Sequence, residues 1–351
     1  MTEDDIKFYK DKSNSFIIIS NLQKAIRRGD LNNAIETWGV LKHSNRGHAL
    51  MRLATISVED IGYGRSSLVR EFLSTEIKKA EIEKRGGDDY VEKIIISMCK
   101  SPKDNLCSQL VSENNNFESI INFFNEFQGL DSLNKLADIY KNSSDTVSRS
   151  IAMNLMIGHK KVKNDKLSSI SESHFNNEYN EDERMDLIRL VNQDIGVPDD
   201  VQDVFEKSYK YHRESNVYNY PLVYSIYNKI YDGLEVNEFI TAENHKEELI
   251  RESTEDYYVK IRDLNVLASS VDYHTSLGKS IIDQIIRENK KFSPDSIKEA
   301  MFKAKGGFKS TTLSRKIIIR DNSSEVNDAI EFINENYYDL FISKLITRIG
   351  K

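Results

Sequence analysis

From Asp30 to Leu110 the apolar side chains return every three or four positions, and the runs stop at glycine or proline. Ala34, Ile35, Trp38 and Leu41 follow Gly29-Asp30, and Leu50, Leu53 and Ala54 share one face of the next segment. Tyr90, Val91, Ile94, Ile95 and Met98 form a stripe that ends before Pro102. A period near 3.6 residues buries one face of a helix and scatters its apolar groups over both faces of a strand. The spacing therefore predicts short helices joined by tight turns over residues 20–110, with Asp30 and Asp88 as N-caps. Leu68–Lys84 reads as one more helix, ended by Gly86-Gly87.

The same period continues through Phe117–Phe127, Leu133–Tyr140, Ser148–Ile157, Glu183–Asn192 and Pro198–Tyr211. It returns, after Pro221 at a helix start, in Asp256–Ala268, Gly278–Lys290 and Val326–Ile346. Only 4 prolines and 15 glycines interrupt 351 residues, so little breaks these helices. Lys316–Arg320 (KIIIR) is the strand candidate, and Phe16–Ile19 is a second, weaker one. The expected class is mainly α: a multi-helix bundle or collar-like N-terminal domain, then a second helical domain with at most a small β element. A chain of 351 residues holds about two domains. The expected division is a helical domain over 1–125, a connector over 126–180 with a polar linker at 160–180, and a helical domain over 181–351.

Charge and cysteine content exclude several functions. The net charge is −7, so the molecule as a whole does not attract DNA or anionic lipid, and nucleic-acid contact needs a local basic patch. Cys99 and Cys107 have no second pair, which offers neither a zinc site nor a disulfide framework. No metal site and no metal cofactor is expected. Met1–Ser13 is polar and Phe16–Ile19 is too short to span a bilayer, so no membrane association is expected and a cytoplasmic location is.

One stretch, ISVEDIGYG (residues 56–64), carries two adjacent carboxylates, Glu59 and Asp60. Side chains at i and i+1 point apart on a helix, so this is not an acid/base pair. Punctuation between helices is expected instead, with Asp60 ending or capping a helix and Glu59 pairing with Arg46, Arg52 or Arg65. AIRRGDLNNAIETWGVLKHSNRGHALMRLATISVEDIGYG resembles the helical C-terminal half of the clamp-loader-like AAA+ ATPases of the replication-associated recombination protein A family. Arg27, Gly29 and Asp30 match that family's first motif, and Arg52, Leu53, Glu59, Asp60, Ile61 and Gly62 match its second. In YVEKIIISMCKSPKDNLCSQL (residues 90–110), Ser101, Pro102, Lys103 and Asn105 match a third, in the family's order. The resemblance covers about residues 20–110. It implies a collar-like platform for self-association and for docking beside DNA-processing machinery. The family's ATPase module lies ahead of this region, and only a short segment precedes it here. No GxxxxGK[ST] phosphate loop is present: in KGGFKST (residues 305–311) Phe308 stands where a glycine must precede the lysine. ATPase activity and a nucleotide cofactor are therefore not expected.

The basic patch is at Lys298–Arg320, where Lys298, Lys303, Lys305, Lys309, Arg315, Lys316 and Arg320 face one acid, Glu299. Gly306-Gly307 gives this segment a flexible middle, which suits phosphate contact without base specificity. Tyrosines crowd residues 209–231. Tyr220, Tyr224, Tyr227 and Tyr231 fall on one helical stripe, which predicts packing. Tyr209, Tyr211 and Tyr218 lie outside that stripe and are the base-stacking candidates. In VDYHTSLGKS (residues 271–280), Asp272 and His274 are the nearest approach to an acid/base pair, Thr275 or Ser276 is a helix cap, and Lys279 and His274 are phosphate-contact candidates. His159 with Lys160, Lys161 and Lys163 reads as a solvated helix end.

The expectation is a non-enzymatic accessory protein of DNA replication or recombination, with no catalytic residues. It self-associates as a homo-oligomer or docks on a replication or polymerase protein, and contacts DNA, single-stranded included, through Lys303, Lys305, Lys309, Arg315 and Lys316. Arg52, Glu59, Asp60, Gly62, Pro102 and Asn105 are its structural motif residues. Asn-, Lys- and Ile-rich stretches imply an AT-rich genome and point to a viral protein. The alternatives are a protein-interaction factor that modulates a polymerase or an AAA+ ATPase, and a nucleic-acid-processing enzyme using Asp272 and His274.

Overall fold

Helix α2 (Lys12–Arg28) is the centre of the fold, with every side chain from Ile17 to Arg27 buried. Around it lie α1 (Glu3–Lys10), α3 (Leu31–Ser44), α4 (Arg46–Ile56), α7 (Gly87–Lys100) and a strand, β2 (Leu264–Leu267). Ile17, Ile18, Leu22 and Ile26 are at most 2% exposed, and burying each such side chain contributes about 1.5–3 kcal/mol. The strand expected at Phe16–Ile19 lies inside this helix. An unbroken apolar run suits any element enclosed on all sides, and Asp11 starts a helix here by accepting the Ser13 and Asn14 amides. The computed structural model describes residues 1–74, 79–114, 117–127, 132–158, 180–211, 218–230, 258–267, 270–271, 275–298, 300, 325–326, 328–329, 331–333, 336–337, 343–344 and 346.

Within the helix expected at Asp256–Ala268, residues 258–267 form a β-hairpin. Strand β1 (Tyr258–Ile261) pairs antiparallel with β2, Tyr258 opposite Leu267 and Ile261 opposite Leu264. Val259 and Ile261 alternate with exposed residues on one strand, and Leu264 and Val266 do so on the other. That is a period of two, which a helical template misreads in so short a stretch. Arg262, at φ 52, makes the turn. Asn21 of α2 binds the hairpin. Its Nδ2 donates to the Asn33 side chain, to Thr37 and to the Asn265 carbonyl, while its Oδ1 accepts from the Leu267 amide and the Ser270 hydroxyl. Tyr9 adds a bond from its hydroxyl to the Ile261 carbonyl at 3.0 Å.

After α4 the chain passes through a π-helical turn (Ser57–Ile61) and a 3₁₀ turn (Gly62–Arg65) into α5 (Ser66–Ser74) and α6 (Lys79–Lys84). Gly86 precedes α7 with no side-chain cap. Asp88, expected to cap it, sits in the first turn and meets Arg46 at 2.9 Å. Then come α8 (Leu106–Asn114), α9 (Phe117–Glu126), α10 (Leu133–Asn142), α11 (Thr146–Ile157), α12 (Glu181–Asp194) and α13 (Asp199–Tyr211). Helix α14 (Tyr220–Ile230) packs on α8 and α13, and α15 (Ser276–Glu288) follows the hairpin. The structure is mainly α, with the hairpin as the β element among the described residues.

Side-chain hydrogen bonds also join α10 to α14. The Tyr140 hydroxyl donates to Asn192, Asn192 to Gln202 and Gln202 to Glu206, while Arg149 reaches the Tyr140 carbonyl and Ser225. No helix among the described residues is long and apolar enough to cross a membrane.

Candidate functional site

The three matched segments meet at one junction. Its first wall is the C-terminal half of α2, its second the π turn, and its third the loop over residues 101–105. A π turn widens the helix by one residue, and here the Gly62 N–H reaches back five residues to the Ser57 carbonyl. That widening turns Asp60 inward, where it is 0% exposed. It neither ends nor caps a helix, in contrast to the punctuating role expected of it. Its Oδ1 accepts from Arg27 Nε at 2.8 Å and its Oδ2 from Gln23 Nε2 at 2.9 Å. Gln23 Nε2 also reaches Glu59 Oε2 at 2.8 Å, while Gln23 Oε1 accepts two bonds from Arg52. Of the three arginines considered for Glu59, the partner is Arg52, at 3.4 Å. Two guanidinium groups and two carboxylates are thus joined through one amide. Opposite charges balance, which lets Arg27 and Asp60 sit away from water while Arg52 and Glu59 lie nearer the surface.

The third wall is pressed against the turn. Gly62 has φ 46, and a Cβ there would lie 2.7 Å from both the carbonyl and a carboxylate oxygen of Asp104. A Cβ on Gly64 would come within 2.3 Å of the Pro102 carbonyl. Only glycine allows the two backbones to approach this closely. Asp104 closes the contact: its N–H donates to the Asp60 carbonyl, and its carboxylate accepts from the Tyr63 and Leu106 amides and from the Tyr227 hydroxyl. Tyr63 stacks on Tyr220 at 4.3 Å and 11°, and its hydroxyl donates to the Tyr220 carbonyl. Tyr220 and Tyr227 are buried, as the stripe predicts for them, and Tyr231 lies outside the described residues.

Lys103 is buried at the C-terminal end of α7. Its Nζ donates to the carbonyls of Met98 and Ser101 at 2.7 Å and of Cys99 at 3.2 Å. A cation suits the negative end of a helix. Burial pushes its pKa down to about 8, and the Asp60 carboxylate opposes that shift. Burial raises the Cys99 thiol to about 12, which keeps it protonated and unreactive. Pro102 and Asn105 flank this lysine, and Asn105 accepts from Gln109 at 3.1 Å.

Most of the other proposed site residues are not among those described. Lys303, Lys305, Lys309, Arg315 and Lys316 lie outside the described residues, as do Asp272, His274, the 160–179 linker and the KIIIR strand candidate. So does the side chain of Tyr211. Tyr218 is 2% exposed, with its ring against Phe205 and Tyr209. A ring that stacks a base must show one face to solvent. Tyr218 therefore packs in the core, and Tyr209 is half-buried beside it. Lys279 is exposed in the first turn of α15, behind Thr275, which caps that helix by accepting the Gly278 amide at 2.9 Å.

Sequence reasoning did not single out Gln23, Asp104 or Asn21. The available signal was polar residues inside an otherwise apolar stripe: SNLQK runs through the most buried turns of α2. No group of His, Cys, Asp and Glu side chains among the described residues is placed to hold a metal ion. No family model matches the sequence, and no curated protein and no solved structure matches the chain.

Proposed function

We propose that this chain is a non-enzymatic accessory protein of DNA replication or recombination, possessing a clamp-loader-collar-like helical body without an ATPase module. It self-associates or docks on a replication partner, and it contacts DNA through the basic segment Lys298–Arg320. The observation that supports this reading is the convergence at one junction of the three segments that resemble the collar of the clamp-loader-like ATPases. Arg27 meets Asp60, and Gly62 and Gly64 admit the 101–105 loop. Asp60 of the second matched segment thus touches both Arg27 of the first and the loop that carries the third.

Gel-shift titration with single- and double-stranded DNA at rising salt tests the DNA contact. A protein that neutralises several phosphates loses affinity steeply with salt. Replacing Lys303, Lys305, Lys309, Arg315 and Lys316 together by glutamine should abolish binding, and equal binding by that variant rules the segment out. Sedimentation over a range of protein concentration tests self-association.

A second reading is a protein-interaction factor that modulates a polymerase or an AAA+ ATPase. Helices α12 and α13 favour it. Residues 180–207 hold nine acidic and three basic side chains, close to the whole net charge of −7. Leu190 stands among them 60% exposed. Pull-down that recovers a polymerase or ATPase, together with no DNA shift at low salt, selects this reading over the first.

A further inference from the structure

We propose that one water molecule is bound inside the protein, between Asn114 at the end of α8 and Asn219 at the start of α14. Ser150 of α11 links these two amides. Its Oγ accepts from Asn114 Nδ2 at 2.8 Å and donates to Asn219 Oδ1 at 2.6 Å. Ser150 and Asn219 are 0% exposed and Asn114 is 9% exposed. Asn114 Oδ1 and Asn219 Nδ2 are then left buried without a partner among the described residues. A buried polar atom without a partner is costly, so two within one joint are a strong demand for a ligand.

The chemistry of the demand names the ligand. One orphan is an acceptor and the other a donor. Turning both amides end for end lets Ser150 donate to Asn114 and accept from Asn219, and the leftovers are again one donor and one acceptor. A cation would face an N–H and an anion would face a carbonyl oxygen, so neither satisfies both. Water donates and accepts. Both amides are tied to the same hydroxyl, which keeps them neighbours, and buried waters characteristically bond to polar groups of this kind.

The site has a structural role. Asn219 opens α14, its carbonyl accepting the Val223 amide at 2.9 Å. Helix α14 then carries Tyr220 and Tyr227 to the junction with Tyr63 and Asp104. The water would hold the start of α14 against α8 and α11.

A crystal structure of the full chain that orders its internal waters tests this directly. The expected result is a water within about 2.7–3.2 Å of both amides. Cross-peaks between the Asn219 side-chain amide protons and a long-lived water should appear by NMR. Density with no water there, or amides turned to bond other protein groups, overturns the proposal. In Asn219→Leu the same water should be lost from the density, and its persistence would equally overturn the assignment. Should that variant not fold, the wild-type density decides alone.

Discussion

Arg27 meets Asp60 and Arg189 meets Glu206 at the same 2.8 Å, yet the two pairs occupy opposite environments. The first is 9% and 0% exposed at the junction, and the second is 42% and 28% exposed on the outer side of α12 and α13. A bond length does not set an energy. Removing one member of a buried pair strands a charge away from water, whereas an exposed arginine that loses its partner is hydrated. The junction is therefore sensitive to the loss of either charge, while α12–α13 carries its charges on the surface, where water replaces a lost partner.

Alkaline pH should destabilise the buried core, the junction included, and produces the largest expected effect. Burial pushes Cys99 and Tyr9 up to about 12, and it also raises Cys107, Tyr63, Tyr140 and Tyr220 above their ordinary values of 9.0 and 10.0. In the fold these groups keep protons that the unfolded chain releases. Their contribution is full below pH 9 and is lost as pH rises toward 12. Lys103 acts in the opposite sense: lowered from 10.5 to about 8, it adds stability as pH climbs through that window. Six groups oppose one, so the net change is a loss. Urea midpoints measured from pH 7 to pH 11 should fall above pH 9, and a flat series would contradict the buried cluster.

Asp60→Ala should cost about 3–5 kcal/mol, because the buried Arg27 loses the carboxylate that balances its charge. The double variant Arg27→Met with Asp60→Leu should recover part of that loss, and urea denaturation of the set measures it. A double variant worse than either single would mean that the pair does more than balance charge. Gly64→Ala should cost about 1–3 kcal/mol, since its new Cβ lands on the Pro102 carbonyl and the 101–105 loop must move. Thermal unfolding reads this, and an unchanged midpoint would show the loop to be free. The smallest effect is Arg189→Ala, expected at no more than about 1 kcal/mol and shrinking with added salt. A cost equal to that of Asp60→Ala would erase the contrast between the two regions.

Much of the helical scaffold was legible in the chain, because its signal is local. Asp30 caps α3 by accepting the Asn33 amide at 3.2 Å, and Pro102 follows the end of α7, both as periodicity and capping chemistry predict. The hairpin was misread as helix, since four residues per strand are too few to tell a period of two from one of 3.6. The inward turn of Asp60 was also hidden. Its residue type fits a cap as well as a buried ion pair, and only the π turn, with Gly62 beneath Asp104, decides between them.

The order of apolar, capping and breaking residues determined by itself that the chain is mainly α and where most of its helices run, because each helix closes hydrogen bonds within a few residues of itself. Tertiary structure alone decided that Gln23, Arg27, Arg52, Asp60 and Asp104 share one junction and that Asn21 holds a hairpin more than two hundred residues away. Those contacts exist only when distant segments exclude water together, and no local pattern encodes which polar side chains will then face one another.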